Sequence, residues 1–466
     1  MLKYAGFFVS LTSFRAASTL LAMVTFPFLL HQIGPVAYGS WAFVLAMGGF
    51  AGVVANPGIN TYLGREVAAQ RLGARRLIQQ VITVRLILAF LVAIFLSGYA
   101  CFVEPNVGTK NLIFYYLIPV TMLGAFTFDG IFNANELFYQ ISFLSFFAQL
   151  IFSLSILLFV RSEADLLFVG AGNLVGNIIT LFIGWWILTK KGFSCLPMFT
   201  LSEQINILKK SYVYGISSVF SQIYNRAGHV IVRLWLGDLA LGFYASAVRS
   251  VEIILGFLRV IPQPLSPKII KLIASGGDYH KWIALSFRLV LWVVLPCILG
   301  GWIFADDIVA LVMGKEYLSA APVFKILLFV LLSGTMASFF SGLSICFSKP
   351  NVYLRGVISG AVFGVLGYTI FIPILREIGA GVGYVLGELG VASMAYFGVR
   401  ERIQLNFQRE EIFKFAGILI FMLVLSLVVK KNTHIHHVIY SILIVGVCYC
   451  FVMAFHVRKM ILTYKN

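Results

Sequence analysis

Residues 212–236 read YVYGISSVFSQIYNRAGHVIVRLWL, long enough to cross a bilayer as one helix and interrupted by Arg226, His229 and Arg233. At 100° per residue these three positions fall within about 60° of one another, so the helix has one cationic stripe on an otherwise apolar surface. An Arg at mid-bilayer costs roughly 2.5–3.5 kcal/mol on the insertion scale, so two would cancel most of the helix's insertion energy if they faced lipid. The stripe must face water or protein. The sequence therefore predicts an all-α integral membrane protein, a polytopic transporter whose interior suits an anion.

The rest of the chain has the same character. Hydrophobic residues make up 60% and charged residues 11%, with a mean hydropathy of +0.95; soluble domains carry roughly a quarter charged residues. The net charge of +17 does not point to nucleic acid, because the basic residues are scattered through short connections between apolar runs. The first apolar run carries Arg15 and no small-residue cleavage site, so it reads as a retained span. The six cysteines form no CxxC pair and have no His partner at metal spacing, so no disulfide framework, metal or cofactor is expected. His434, His436 and His437 read as a solvated outer turn. Gly381, Gly383 and Gly387 open a membrane helix rather than a strand-to-helix turn, and no Walker motif occurs.

The ~20-residue requirement for a span places about fourteen transmembrane helices, at 6–30, 38–59, 80–102, 112–131, 139–160, 166–189, 212–236, 240–262, 283–304, 322–346, 354–375, 379–399, 412–429 and 438–455. With the N-terminus inside, the inner connections hold 21 Lys/Arg and the outer ones 6, which puts both termini in the cytoplasm. The long inner connection 190–211 divides the chain. Residues 1–189 form an N-terminal six-helix lobe and 212–400 a C-terminal one, with two further helices and a tail in 401–466. Each lobe joins its first two spans by a similar stretch, IGPVAYGSWA (33–42) and LGDLALGFYA (236–245), identical at Gly34/Gly237, Ala37/Ala240, Gly39/Gly242 and Ala42/Ala245. Two pseudo-repeated lobes around a central cavity are expected.

LLHQIGPVAYGSWAF and ANPGINTYLGREVA in the first lobe, with RLWLGDLALGFYASAVR, PLSPKI, GKEYLSAAPVFKIL and LREIGAGVGYVLGELG in the second, are similar to bacterial polysaccharide flippases. These are the Wzx-type members of the multidrug/oligosaccharidyl-lipid/polysaccharide exporter superfamily. The resemblance implies a flippase, not an enzyme, that passes undecaprenyl-pyrophosphate carrying an O-antigen or similar repeat unit from the cytoplasmic to the outer leaflet of the inner membrane. It also implies membrane lipids and other polysaccharide-assembly membrane proteins as partners. Many relatives carry an Asp near Asn225 and Arg226, which this chain lacks.

Eight basic residues fall inside spans. Arg85, Arg259, Arg288, Arg233 and Lys325 lie near span ends and can snorkel to headgroups, whereas Arg15, Arg226 and Arg249 are too deep. Arg15, Arg226, His229, Arg233 and Arg249 are the candidate substrate-binding residues, since guanidinium suits paired phosphate oxygens. Glu252, Glu388 and Asp129 are candidate ion-pair or coupling residues, Glu252 standing three residues after Arg249. The alternatives are a sister exporter of drugs or the peptidoglycan lipid precursor, or a membrane glycan polymerase, for which Asp306 and Asp307 in the longest outer connection would matter.

Overall fold

The computed structural model describes residues 2–69, 74–259, 266–347, 349–405 and 409–432. Helices fill almost all of it, and no strand occurs among the described residues. The solvent explains this: in hydrocarbon every backbone N–H and C=O must find its partner inside the protein, and a helix supplies it within one segment. Among the described residues, ten helical stretches are long and apolar enough to cross a membrane. Two of them, Ala16–Ala55 and Tyr214–Leu258, contain 40 and 45 residues, roughly 60–70 Å of helix against a hydrocarbon core of ~30 Å.

Each of these long runs is broken once, at Gly34 (φ 70°, ψ 174°) and at Gly237 (φ 88°, ψ −179°). Residues with a Cβ rarely adopt such a φ, and these are the two glycines that the sequence aligns. The repeat is thus present in backbone conformation, and each long run holds two expected spans. Among the described residues the ten stretches thus hold twelve of the fourteen expected spans. The expected span 412–429 falls within a described helix, whereas 438–455, with its histidine-bearing approach, lies outside the described residues.

The chain forms two compact units, Met1–Gly242 and Phe243–Asn466. The first contains α1 (Leu2–Ala55), α2 (Ile59–Ala68), α3 (Ala74–Phe102) and a fourth span that is not one helix. That span runs through α4 (Val107–Leu112), a π-turn (Ile113–Leu117), α5 (Ile118–Leu123), a 3-10 turn (Gly124–Phe126), extended Thr127 and α6 (Asp129–Ala134). Pro119 has no N–H to give a preceding turn, and the break frees carbonyls. Trp185 Nε1 donates to the Phe126 oxygen at 2.7 Å and Arg85 Nη1 to the Thr127 oxygen at 3.0 Å. α7 (Phe138–Phe159), α8 (Leu166–Lys190) and α9 (Leu201–Leu258) as far as Gly242 complete the unit. Ile59, Leu63, Ile78, Phe132 and Leu188 centre one of its cores.

Close approaches clasp α9, between Tyr214 and Gly242, to the rest of this unit. A Cβ on Gly39 would overlap the Asp238 carbonyl, and one on Gly242 the Pro35 carbonyl. Pro35 and Asp238 occupy equivalent places in the repeat, so the two contacts exchange under a pseudo-two-fold. Lower on the helix, Gly49 meets Gln222 and Gly58 meets Tyr214 and Gly215. This packing carries the compact unit past the covalent division at 190–211.

The second unit contains the end of α9, α10 (Ser266–Ser275), α11 (His280–Ile303), α12 (Ala305–Val312), α13 (Ala321–Leu327), α14 (Phe329–Cys346), α15 (Pro350–Leu375), α16 (Glu377–Val399) and α17 (Arg409–Asn432). α15 and α16 meet at glycines, where a Cβ on Gly367 would stand 2.7 Å from the Gly383 Cα. α17 is tied to the unit by Lys430, which donates to the Ile303 carbonyl and pairs with Asp307 at 3.7 Å.

Candidate functional site

The cationic stripe of α9 divides into three environments. Arg233, at the end nearest Gly237, makes a two-pronged bond to Glu104, Nη1 to Oε2 at 2.6 Å and Nη2 to Oε1 at 2.7 Å. Its Nε donates to Asp238 Oδ1 at 2.6 Å, and its guanidinium lies over the Phe43 ring at 3.9 Å. Its side chain is 9% exposed and that of Glu104 0%. Glu104 also accepts from the Asn106 backbone N–H at 3.1 Å, and Asn106 Nδ2 donates to Asp238 Oδ2 at 3.3 Å. Burial pushes the Glu104 carboxyl up, but the Arg233 fork and the Asn106 amide outweigh it and hold the group below the usual carboxylate range. The expected snorkelling of Arg233 is therefore not found, since protein carboxylates supply what the headgroup region would have.

One turn away, His229 is buried, 4% exposed. Arg226 is half-buried and makes no hydrogen bond or ion pair with the described residues, which leaves it the open cation of the stripe. Arg15 lies in α1, with its side chain outside the described residues.

In the second unit Arg249 is half-exposed and 3.7 Å from Glu252, the i,i+3 pair that the spacing suggested. Glu388, 1% exposed in the middle of α16, accepts from Arg259 Nη2 at 3.3 Å. Asp306, one of the two aspartates weighed for a polymerase, pairs with Lys325 at 2.9 Å; the other, Asp307, pairs with Lys430. No group of three or more His, Cys, Asp or Glu side chains able to hold a metal occurs among the described residues.

Arg85 departs most from expectation. Read from sequence as a snorkelling residue, it is 1% exposed and bonded to Thr127 and to Asn60 Oδ1. Asp129 contributes a favourable electrostatic interaction. Two cavities lie against this cluster. One of about 320 Å³ is lined by Asn56, Asn60, Tyr116, Thr121 and Thr127 among others. The other, of about 260 Å³, is lined by Asp129, Asn177 and Thr180 and shares Val120, Gly124 and Thr127 with the first. The broken fourth span passes between them, and interrupted membrane helices recur at transporter binding sites because they expose backbone and polar groups at depth. A third cavity, of about 620 Å³, is an apolar groove between α1, α3 and α9 that ends at Phe43 and Tyr99 beside Arg233.

The helices and the glycine-broken repeat define a multi-pass membrane protein. A family model described as polysaccharide biosynthesis protein matches residues 5–273; the chain belongs to that family. Among solved structures it is similar to the lipid II flippase MurJ in an inward closed conformation, with a TM-score of 0.81, 15% identity, and coverage of 97% of this chain and 100% of that one. It is also similar to an inward-facing multidrug resistance MATE family transporter of the MOP superfamily, with a TM-score of 0.58, 15% identity, and coverage of 83% and 94%. A MOP superfamily transporter from Pyrococcus furiosus aligns at 0.54 with 14% identity, covering 84% and 94%. No curated protein matches the chain. The exporter-superfamily resemblance read from the glycine-containing turns is borne out at the level of family and fold.

Proposed function

We propose that this protein is a flippase for lipid-linked oligosaccharides, moving undecaprenyl-pyrophosphate with an O-antigen or similar repeat unit from the cytoplasmic to the outer leaflet of a bacterial inner membrane. Its membership of the polysaccharide biosynthesis family, on a fold like that of a lipid II flippase, is the observation that carries this reading. Both termini lie in the cytoplasm, and the two repeats act as lobes that open alternately to each side. No bond is made or broken and no cofactor is used. Arg226 binds the pyrophosphate, helped by Arg15 and Arg249, because a guanidinium fork matches paired phosphate oxygens. His229 and Arg233 line the same stripe in a supporting role, and Glu252, Glu388 and Asp129 set the charge balance around it. The helices after residue 400 guide the polyprenyl tail, and other polysaccharide-assembly membrane proteins supply and consume the substrate.

The energetics suit outward transport. Two negative charges leaving an inside-negative cell gain roughly 4–5 kcal/mol at about 100 mV.

The fold likeness to MurJ favours one rival, the peptidoglycan precursor as substrate. Deleting the gene from its own cell separates the two. Loss of surface polysaccharide, with lipid-linked repeat units accumulating at the inner leaflet and peptidoglycan synthesis intact, is expected. Arrested peptidoglycan synthesis with normal surface polysaccharide would overturn the assignment in favour of the rival.

A further inference from the structure

Each repeat follows its long broken run with a ten-residue helix, α2 in the first and α10 in the second, and the two differ in charge. α2, INTYLGREVA, balances one Arg with one Glu, and its Arg65 donates to the Tyr214 hydroxyl. α10, SPKIIKLIAS, holds Lys268 and Lys271 and no acid. Neither ammonium has a hydrogen-bond or ion-pair partner among the described residues. The repeat architecture therefore does not demand these two charges, which leaves them for something outside the protein.

At 100° per residue α10 has three faces. Ile269 and Ile273 pack into a core with Ile283, Phe347 and Val399. Lys268 and Lys271 are exposed on the far side, and Ile270, between them and the core around the helix, is 48% exposed. Such a helix suits the boundary of hydrocarbon and headgroups, where the bare Ile enters the chains and the ammoniums stay at the phosphates. The same core carries further cations. Lys268 Nζ lies 3.1 Å from the centre of the Trp282 ring, which packs on that core, and the Arg402 guanidinium lies over Phe347 at 5.7 Å. Lys281 precedes Trp282, and Arg400 lies over the exposed Phe397 at 5.3 Å. Lys281, Arg400 and Arg402 are exposed and, like the two lysines of α10, have no hydrogen-bond or ion-pair partner for their side chains among the described residues. Five cations thus border one aromatic core, and the acids on the same segments are Asp278 and Glu401.

We propose that α10 and the turn at Arg400–Arg402 form a binding surface for anionic phospholipids, at the end of the second unit where α11 begins and α16 ends. The cations meet the phosphates, while Ile270 and Phe397 meet the upper part of the chains. An acidic protein would be served by the cations alone; the bare apolar side chains beside them fit a lipid. The surface binds such lipids whatever the protein transports. Only its place in the cytoplasmic leaflet rests on the orientation given by the flippase reading.

The test uses full-length protein in neutral detergent, titrated with phosphatidylglycerol or with phosphatidylcholine of the same chains, and native mass spectrometry to count the bound lipids. The wild type should bind its first phosphatidylglycerol about tenfold or more tighter than phosphatidylcholine. Lys268→Gln/Lys271→Gln/Arg402→Gln should lose that preference. Lys190→Gln/Lys191→Gln/Lys209→Gln, which removes the same charge from another connection, should keep it. All six side chains are exposed, so both variants should melt like the wild type in the absence of lipid. Equal affinity of the wild type for the two lipids, the result expected if this face meets an acidic protein instead, overturns the site. A preference kept by the first variant, or lost equally in both, does the same. A preference lost only in the first variant, in a protein that moves no lipid-linked glycan, upholds the site and removes only the flippase reading.

Discussion

Arg233 and Glu104 face each other as a two-pronged pair at 2.6 and 2.7 Å, both nearly sealed from solvent. The pair joins the middle of α9 to the connection after α3, so the first helix of the second repeat is fastened to the first at the same end as the interlocked glycine turns. Removing one partner of a buried pair leaves an uncompensated charge and costs about 3–5 kcal/mol. Arg233→Met should therefore lower thermal stability strongly, measured by melting in detergent. The double variant Arg233→Met/Glu104→Gln should recover part of the loss, because no lone charge remains at Glu104.

A pH dependence follows from the same pair. Glu104 is held below its ordinary carboxylate pKa of 4.5, so the folded state binds fewer protons there than the unfolded state. The stability it contributes is present above about pH 4.5 and is lost as pH falls through the lowered folded value. Glu104→Gln should flatten this part of a melting-temperature profile between about pH 5 and 3. An unchanged slope would mean that the pair contributes nothing to acid sensitivity.

Gly34 and Gly237 adopt positive φ in equivalent turns. Gly34→Ala or Gly237→Ala should each cost about 1–2 kcal/mol through the left-handed backbone alone. Gly39→Ala and Gly242→Ala act differently, since their methyls would overlap carbonyls across the turn. The two sites share one interface, so their effects should be non-additive. A thermodynamic cycle on the double variant checks this.

Arg85→Ala should be among the most damaging single changes in the first unit, at about 3 kcal/mol. It opens a cavity and leaves the Thr127 carbonyl and Asn60 without their donor. Denaturation monitored by Trp fluorescence would detect it.

Much of the fold is legible in the sequence. The hydropathy and the repeat at Gly34 and Gly237 follow from rules that act locally, and a bilayer leaves the backbone few other choices. The candidate site is less legible because depth in the membrane does not report a partner. Arg233 reads from sequence as a residue near a span end and as a substrate-binding candidate, yet Glu104 is distant in sequence and reaches it only through the fold, while Asp238, five residues away, is a signal that spacing rules for a continuous helix do not use. Arg85 reads as a residue one or two turns from a span end; its burial follows from the break after Gly124, where freed carbonyls need a donor. Pro119 and Gly124 in one span were the available sign of that break. Arg249 and Glu252 were readable because a helix brings i and i+3 together.

The central claim concerns a pyrophosphate-linked glycan moved by a membrane bundle with Arg226 as its open cation. The most direct measurement is translocation of a labelled undecaprenyl-pyrophosphate oligosaccharide in vesicles, driven by an imposed potential. The wild type should translocate it faster when the side that the substrate leaves is negative. Arg226→Ala should reduce the rate by about tenfold or more, a loss of at least 1.4 kcal/mol in the barrier, with partial rescue by Arg226→Lys. Translocation no faster than in protein-free vesicles, or an Arg226→Ala variant as fast as the wild type, would contradict the account.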